Sequence, residues 1–198
     1  EHGFIVHGSY FQNEREKDIL LSSGVASNIV QLDLTKTSIP LELLESCDCF
    51  IHNASICPRD SLTSIETRDI RDSFEVHFAR SLEVITALSN QKRPLKLLFI
   101  LDAHLDKFLT QRASYWFTKV MLQNLVKVSI EHLSGRGGLE IYGISPRMFH
   151  EKEDENILKD KLLQTHGNLP TVSEVADSVL DAALGRISPG IYEINGKG

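Results

Sequence analysis

The sequence predicts an α/β domain organised as a doubly wound parallel sheet, and three observations lead there. Short apolar runs alternate with polar, helix-forming stretches from one end of the chain to the other, which is the pattern of parallel strands joined by crossover helices. The run Leu95 to Leu101 is apolar almost throughout, as a strand covered on both faces must be. With 198 residues, 41% of them hydrophobic and 24% charged, the chain is long enough for a well-buried core and carries no bias towards disorder, so residues 1–198 read as one domain. Ligands of such a sheet sit beyond the carboxyl ends of its strands.

Taken in order, Phe4, Ile5 and Val6 open a short strand that closes at Gly8, Ser9 and Tyr10. A polar helix from about Gln12 to Ser23 follows, and Gly24 stops it. Asn28 to Leu32 forms the second strand and leads into Asp33 and Leu34; Cys49 to His52 forms the third. A helix from about Glu66 to Ser89 carries His77, and Pro94 stands just before the fourth strand, Leu95 to Leu101, at a boundary that proline tolerates. Beyond Ser114, apolar residues recur at helical intervals (Val120, Leu122, Leu125, Val126, Ile130) with no glycine or proline before Gly135. Leu139 to Ile144 is the fifth strand. The charged stretch Glu151 to Gln164 reads as a flap over a substrate or as an exposed helix. Thr171-Val172-Ser173-Glu174 is a capping-box start to a helix in which Val175, Val179 and Leu180 repeat at helical spacing, and Gly190 to Asn195 is a last short strand. No internal repeat or low-complexity linker interrupts the order.

Composition narrows the partners. A net charge of −6 leaves no basic excess for nucleic acid, and no run approaches the roughly 18 apolar residues of a membrane span. Cys47, Cys49 and Cys57 are too few and too irregularly spaced for a disulfide framework or a zinc cluster. A soluble, cytoplasmic protein with no metal, no nucleic acid and no membrane partner is the expectation.

The chemistry concentrates after the fourth strand. That strand ends in Asp102, Tyr115 follows thirteen positions later, and Lys119 stands four residues beyond it, on the same face of a helix. A tyrosine hydroxyl titrates near ~10, so it moves protons poorly at neutral pH unless its anion is favoured. An ammonium at about 4 Å and an effective dielectric of about 20 contributes roughly 4 kcal/mol, or about three pKa units, in that direction. The pair therefore suits carbonyl or imine reduction. The same spacing also describes an amphipathic helix with a half-buried tyrosine and a solvated lysine.

Tyr115 and Lys119 behind a buried strand, together with His52-Asn53-Ala54-Ser55 at the end of an earlier one, resemble the short-chain dehydrogenase/reductase superfamily, whose N-N-A-G stands here as H-N-A-S. Most of that superfamily has a serine thirteen residues before the tyrosine. Asp102 followed by Ala103 at that place, with the N-A-S ending, is similar to the pteridine reductases and the bacterial dihydromonapterin reductases. The likeness runs from Phe4 to Gly198 and ends on Gly196-Lys197-Gly198, where the superfamily has D-G-G. It implies a Rossmann-like fold in which Phe4 to Tyr10 corresponds to the family's second strand. The family's first strand, glycine-rich loop and first helix, about thirty residues, would then lie upstream of Glu1.

The resemblance also implies an NAD(P)-dependent oxidoreductase and assigns its site. Asp102, Tyr115 and Lys119 would be catalytic. Ser9 and Tyr10 would meet the cofactor's adenosine ribose; the absence of an acid from Ser9 to Gln12 leans towards NADPH over NAD, with Arg15 near enough to meet a phosphate. Asp33 and Leu34 would border the adenine, although Asp33 equally suits a turn cap. Asn53, Ala54 and Ser55 would line the nicotinamide and its ribose, or form a simple strand-end turn. Pro146 would complete the cofactor contacts, followed by Arg147 where the superfamily has glycine.

Cys57, Asp102, Tyr115 and Met148 would face the substrate, with Cys57 where pteridine reductases tend to carry an aromatic. His77 stands near a superfamily asparagine that organises water leading to the lysine; an imidazole can donate and accept as well, and a lone helical histidine can also be structural. His104 and Asp106 read as an acid/base pair of their own or as a solvated loop. Trp116 and Phe117 read as helix packing or an oligomer face, the family being dimers or tetramers built on helices that correspond to residues 66–89 and 113–133. The activity implied is reduction of a pterin (dihydromonapterin, dihydrobiopterin or dihydrofolate) at a ring C=N, with an inactive binding protein or a carbonyl reductase as alternatives.

Overall fold

The computed structural model describes residues 3–147 and 170–195. Met148, the charged stretch from Glu151 to Gln164, and Gly196-Lys197-Gly198 lie outside the described residues. Two compact units divide the chain, Glu1–Ile39 and Pro40–Gly198.

In the first unit, β1 (His7–Tyr10) and β2 (Asn28–Gln31) pair in parallel, Gly8 opposite Ile29 and Ser9 opposite Val30. The helix between them, α1 (Glu14–Ser22), begins where the Asn13 side chain accepts from Glu16 N at 3.2 Å, a sequence-local cap for an otherwise orphaned amide. It ends at Gly24, whose φ of +71° is the left-handed turn that stops a helix. None of α1 is buried. Phe4 to Val6, expected to open β1, stay outside the ladder; Val6 reaches it through one bond, Ser27 N to Val6 O at 2.8 Å.

The second unit holds a four-stranded parallel sheet in the order β3 (Cys49–His52), β4 (Leu95–Ile100), β5 (Leu139–Pro146), β6 (Gly190–Ile194). Its helices are α2 (Leu41–Glu45), α3 (Thr67–Phe74), α4 (Arg80–Leu88), α5 (Ala113–Leu133) and α6 (Val172–Ala183). A π turn, Glu75–Ala79, joins α3 to α4. The capping box at α6 is formed on both sides: Glu174 N donates to Thr171 Oγ1, and Thr171 N to Glu174 Oε2 at 2.7 Å. All strand pairs are parallel and helices connect them, as expected of a doubly wound layout, but the strands form two separate ladders among the described residues.

The core sits on β4 and β5, where Leu95, Leu97, Leu98, Phe99, Ile141 and Ile144 are buried. Side chains alternate in direction along a strand, so a continuous apolar run must be covered on both faces. Leu98, Tyr142, Ile144 and Ala182 form one cluster, with Val175 and Val179 of α6 packed against it. Gly143 sets how closely α5 approaches β5: a Cβ there would meet Leu101 Cδ1 at 2.7 Å and Val126 Cγ1 at 3.4 Å. That packing holds α5, and with it Tyr115 and Lys119, beside the carboxyl end of β4.

Candidate active site

The start of α5 is clamped from a distance. Ser114 N donates to both Asp60 carboxylate oxygens, at 3.1 and 3.3 Å, and Ser114 Oγ donates to Asp60 Oδ2 as well. A buried carboxylate there is favoured by the positive end of the helix. Asp60 also bridges in parallel to Arg112, which ties the loop after β3 to the residues before Tyr115.

Two turns of α5 then present the pair on one side. Tyr115 donates its hydroxyl to Asp102 Oδ2 at 2.8 Å. The other Asp102 oxygen accepts from His104 N at 2.8 Å, and His104 Nδ1 lies 3.7 Å from it. Lys119 is buried, its Nζ 5.7 Å from the centre of the Tyr115 ring and donating to Ile100 O at 2.9 Å. Burial pushes its pKa down to about 8, against the opposing pull of Asp102 and Cys57.

One expectation reverses here. The ammonium was expected to draw the Tyr115 pKa down, yet burial, with the charge of Asp102 and the bond to it, pushes that pKa up. Burial is the larger cause and the partner adds to it: Lys119 turns its amine to a backbone carbonyl, while the phenol faces a carboxylate. Ionising the phenol would break a charge-assisted bond and set two anions side by side.

The match to known proteins is one of fold. No protein-family model matches the sequence, and no curated protein is significantly similar to it. Solved structures do match: the alternative dihydrofolate reductase 1 FolM of Brucella suis in complex with NADP has a TM-score of 0.78 at 18% identity, over 98% of this chain and 84% of that one. The 3-oxoacyl-(acyl-carrier-protein) reductase of Agrobacterium tumefaciens C58 with NADP bound gives 0.73 at 14%, over 98% and 83%. The gluconate 5-dehydrogenase of Burkholderia cenocepacia J2315 in complex with NADP and tartrate gives 0.77 at 17%, over 98% and 85%. The fold is that of the short-chain reductases.

Within the short-chain reductase fold, Asn53, Ala54 and Ser55 lie exposed just past the carboxyl end of β3, and the Asn53 side chain makes no hydrogen bond among the described residues. Pro146 is buried at the end of β5, its carbonyl accepting from Ala103 N at 3.1 Å. Cys57 is exposed and its sulfur accepts from Arg112 Nη1. In the first unit Ser9 is exposed, Tyr10 and Leu34 are half-buried, and Asp33 is a turn cap: its carboxylate accepts from Thr35 N at 3.1 Å and pairs with Lys36 Nζ at 2.9 Å. Met148 belongs to the residues outside the description.

These side chains suit a bound nicotinamide riboside. An ammonium carries three donors and no acceptor, and buried Lys119 directs one of them to Ile100 O. Ribose hydroxyls would supply acceptors for the others, and the exposed end of β3 leaves Asn53 free to bond.

Several participants were missed or only half seen in the sequence. His77 is fully buried in the π turn; Nε2 accepts from Ile56 N at 3.3 Å and lies 2.8 Å from Ser55 Oγ, so Nδ1 carries the proton towards Thr118 Oγ1 at 2.8 Å. That tautomer follows from the network. Thr118 in turn donates to Ser114 O at 2.8 Å. Burial, then the charge of Lys119, pushes His77 down to about 3, so it is neutral and ties the loop after β3 to α5. Asp60, Ser114 and Thr118 had no signal of their own. The pairs that matter, Asp60 with Ser114 and His77 with Thr118, stand dozens of residues apart, beyond the reach of periodicity.

Proposed function

We propose that this protein is an NADPH-dependent reductase that reduces a ring C=N of a pterin of the dihydromonapterin, dihydrobiopterin or dihydrofolate kind. The observation that carries the reading is the Asp102 carboxylate 2.8 Å from the Tyr115 hydroxyl with a buried Lys119 alongside. A carboxylate suits the amidine-like edge of a pterin, which offers two donors in a row, better than a serine would. The Brucella suis structure, named a dihydrofolate reductase and solved with NADP, supports the same direction.

When bound, NADPH supplies the hydride to the ring carbon. Lys119 would hold the nicotinamide ribose, and Asn53, Ala54, Ser55 and Pro146 would line that half of the cofactor. A phenol whose pKa is raised keeps its proton at neutral pH, which is the form an acid needs for a reduction. As the pterin's donors occupy the Asp102 oxygens, the Tyr115 proton is released from that bond and passes to the ring nitrogen next to the reduced carbon. The Lys119 ammonium then faces the phenolate. Cys57 is assigned to the substrate side.

Exposed Leu82 on α4 and Phe117, Met121 and Val128 on α5 support a homodimer or tetramer through these helices. No helix among the described residues is long and apolar enough to cross a membrane, and a cytoplasmic setting is part of the proposal.

A second reading, a carbonyl reductase, is favoured by the same fold in the acyl-carrier-protein reductase and the gluconate dehydrogenase. The assay that separates them follows NADPH oxidation by the full protein with dihydropterins and with a set of ketones. Pterin turnover that falls by roughly a hundredfold or more in Tyr115→Phe is expected. Ketone turnover without pterin turnover gives the second reading, and failure to bind either dinucleotide makes the protein a non-catalytic binder.

A further inference from the structure

The pterin chemistry leaves one cation of the site without a task. Arg112 is exposed immediately before α5, and its guanidinium donates to the sulfur of Cys57, also exposed. Sulfur is a weak acceptor, whereas a guanidinium offers five donors in a rigid fork. The carboxylates of the site are engaged elsewhere: Asp60 with Ser114, Asp102 with Tyr115 and His104. Among the described residues Arg112 makes no ion pair. Of the groups acting on Tyr115, it is the one that favours the phenolate, so its charge is felt at the reacting hydroxyl.

We propose that Arg112, with Cys57 beside it, receives a carboxylate of the substrate, and that the site therefore prefers pterins with a carboxylated side chain over those with an uncharged one. The fork of a guanidinium matches a carboxylate in two parallel bonds. The pterin ring comes from the preceding proposal; the anion comes from the Arg112 geometry alone.

Two experiments keep these apart. In the first, the full chain is alkylated with iodoacetate and with iodoacetamide, and modification of Cys57 is quantified by peptide mass. In both reactions the sulfur displaces iodide from a CH2 group, forming an S–C bond; the reagents differ in carrying a carboxylate or a neutral amide. The iodoacetate-to-iodoacetamide rate ratio at Cys57 is expected to exceed that of a peptide of the same local sequence by roughly fivefold, the strength of an exposed ion pair. Arg112→Ala should bring it down to the peptide's ratio, with Arg112→Lys in between. A ratio equal to the peptide's in the unmodified protein overturns the anion site.

In the second, Arg112→Ala should raise the KM for dihydrofolate more than that for dihydrobiopterin. Equal changes in both overturn the preference. If the protein reduces neither pterin, the proposed function fails while the alkylation ratio still decides the anion site.

Discussion

Residues 3–39 and residues 49–100 are both built as a strand, a helical connection and a parallel strand, yet they bury very different amounts. Of residues 3–39, Ala26 alone is a buried hydrophobic residue, and Ile19, Leu20 and Leu21 on α1 are 53, 40 and 38% exposed. Between β3 and the end of β4, Val76, Val84, Ile85, Leu88 and four residues of the strand itself are buried. The local signals are equally good in both: Asn13 caps α1, Gly24 ends it, and the ladder is in register. Local signals make an element. A core needs further layers, and β4 has them because β5 pairs along its whole length and α5 packs on β5.

The largest effect that would break this contrast is in β4. Leu98→Ala should cost about 2–5 kcal/mol through lost transfer energy and a residual cavity, whereas Leu20→Ala on α1 should stay within about 0.5 kcal/mol. Urea unfolding followed by fluorescence of Trp116, the single tryptophan, measures the first, and hydrogen exchange of the α1 amides measures the second; equal costs would remove the distinction.

Acid comes next. His52 and His77 are held neutral, at about 4 and about 3, chiefly by burial and then by the charge of Lys119. Below the ordinary imidazole value of ~6.5 the unfolded chain takes up protons that the folded one does not, so stability falls as pH falls, by up to about 1.4 kcal/mol per pH unit for each ring. The loss should run from about pH 6.5 to about pH 4 and continue to about pH 3 for His77. Replacing His77 with glutamine should flatten that slope between pH 4 and 6.5, as read by urea titrations across the range; an unchanged slope would refute the linkage.

Asp60→Ala is expected to cost about 1–3 kcal/mol, because Ser114 N and Oγ are left buried without their acceptor. It should also slow any Tyr115-dependent turnover, since the start of α5 loses its clamp.

The smallest effect compares two helix caps. Thr171→Ala at the start of α6 should lower global stability by about 1 kcal/mol, because α6 packs on the core. Asn13→Ala should leave the Trp116 transition unmoved and speed hydrogen exchange of α1 amides, which bury nothing. A shift of the global transition by Asn13→Ala would show that α1 is coupled to the core after all.

Much of this was legible because it is local. The boundaries of β3, β4 and β5 lie within two residues of their apolar runs, the Thr171–Glu174 box is formed, and four-residue spacing brings Tyr115 and Lys119 to one face of α5. Phe4 to Val6 were misplaced into β1 for the complementary reason: they have strand-like composition, but a strand exists only where a neighbour accepts its amides.

The sequence by itself determined most of the strand and helix segments, the capping box at which α6 begins, and that a phenol and an amine share one face of α5. Those outcomes depend on dihedral preference, side-chain period and spacing, all of which act within a few residues. Only the tertiary structure decided that Asp60 clamps Ser114 across 54 positions, that His77 ties Ser55 to Thr118, and that Asp102 rather than Lys119 governs the proton on Tyr115. Each of those rests on burial and on which charge ends up nearest to which hydroxyl, and neither quantity exists until the chain has packed.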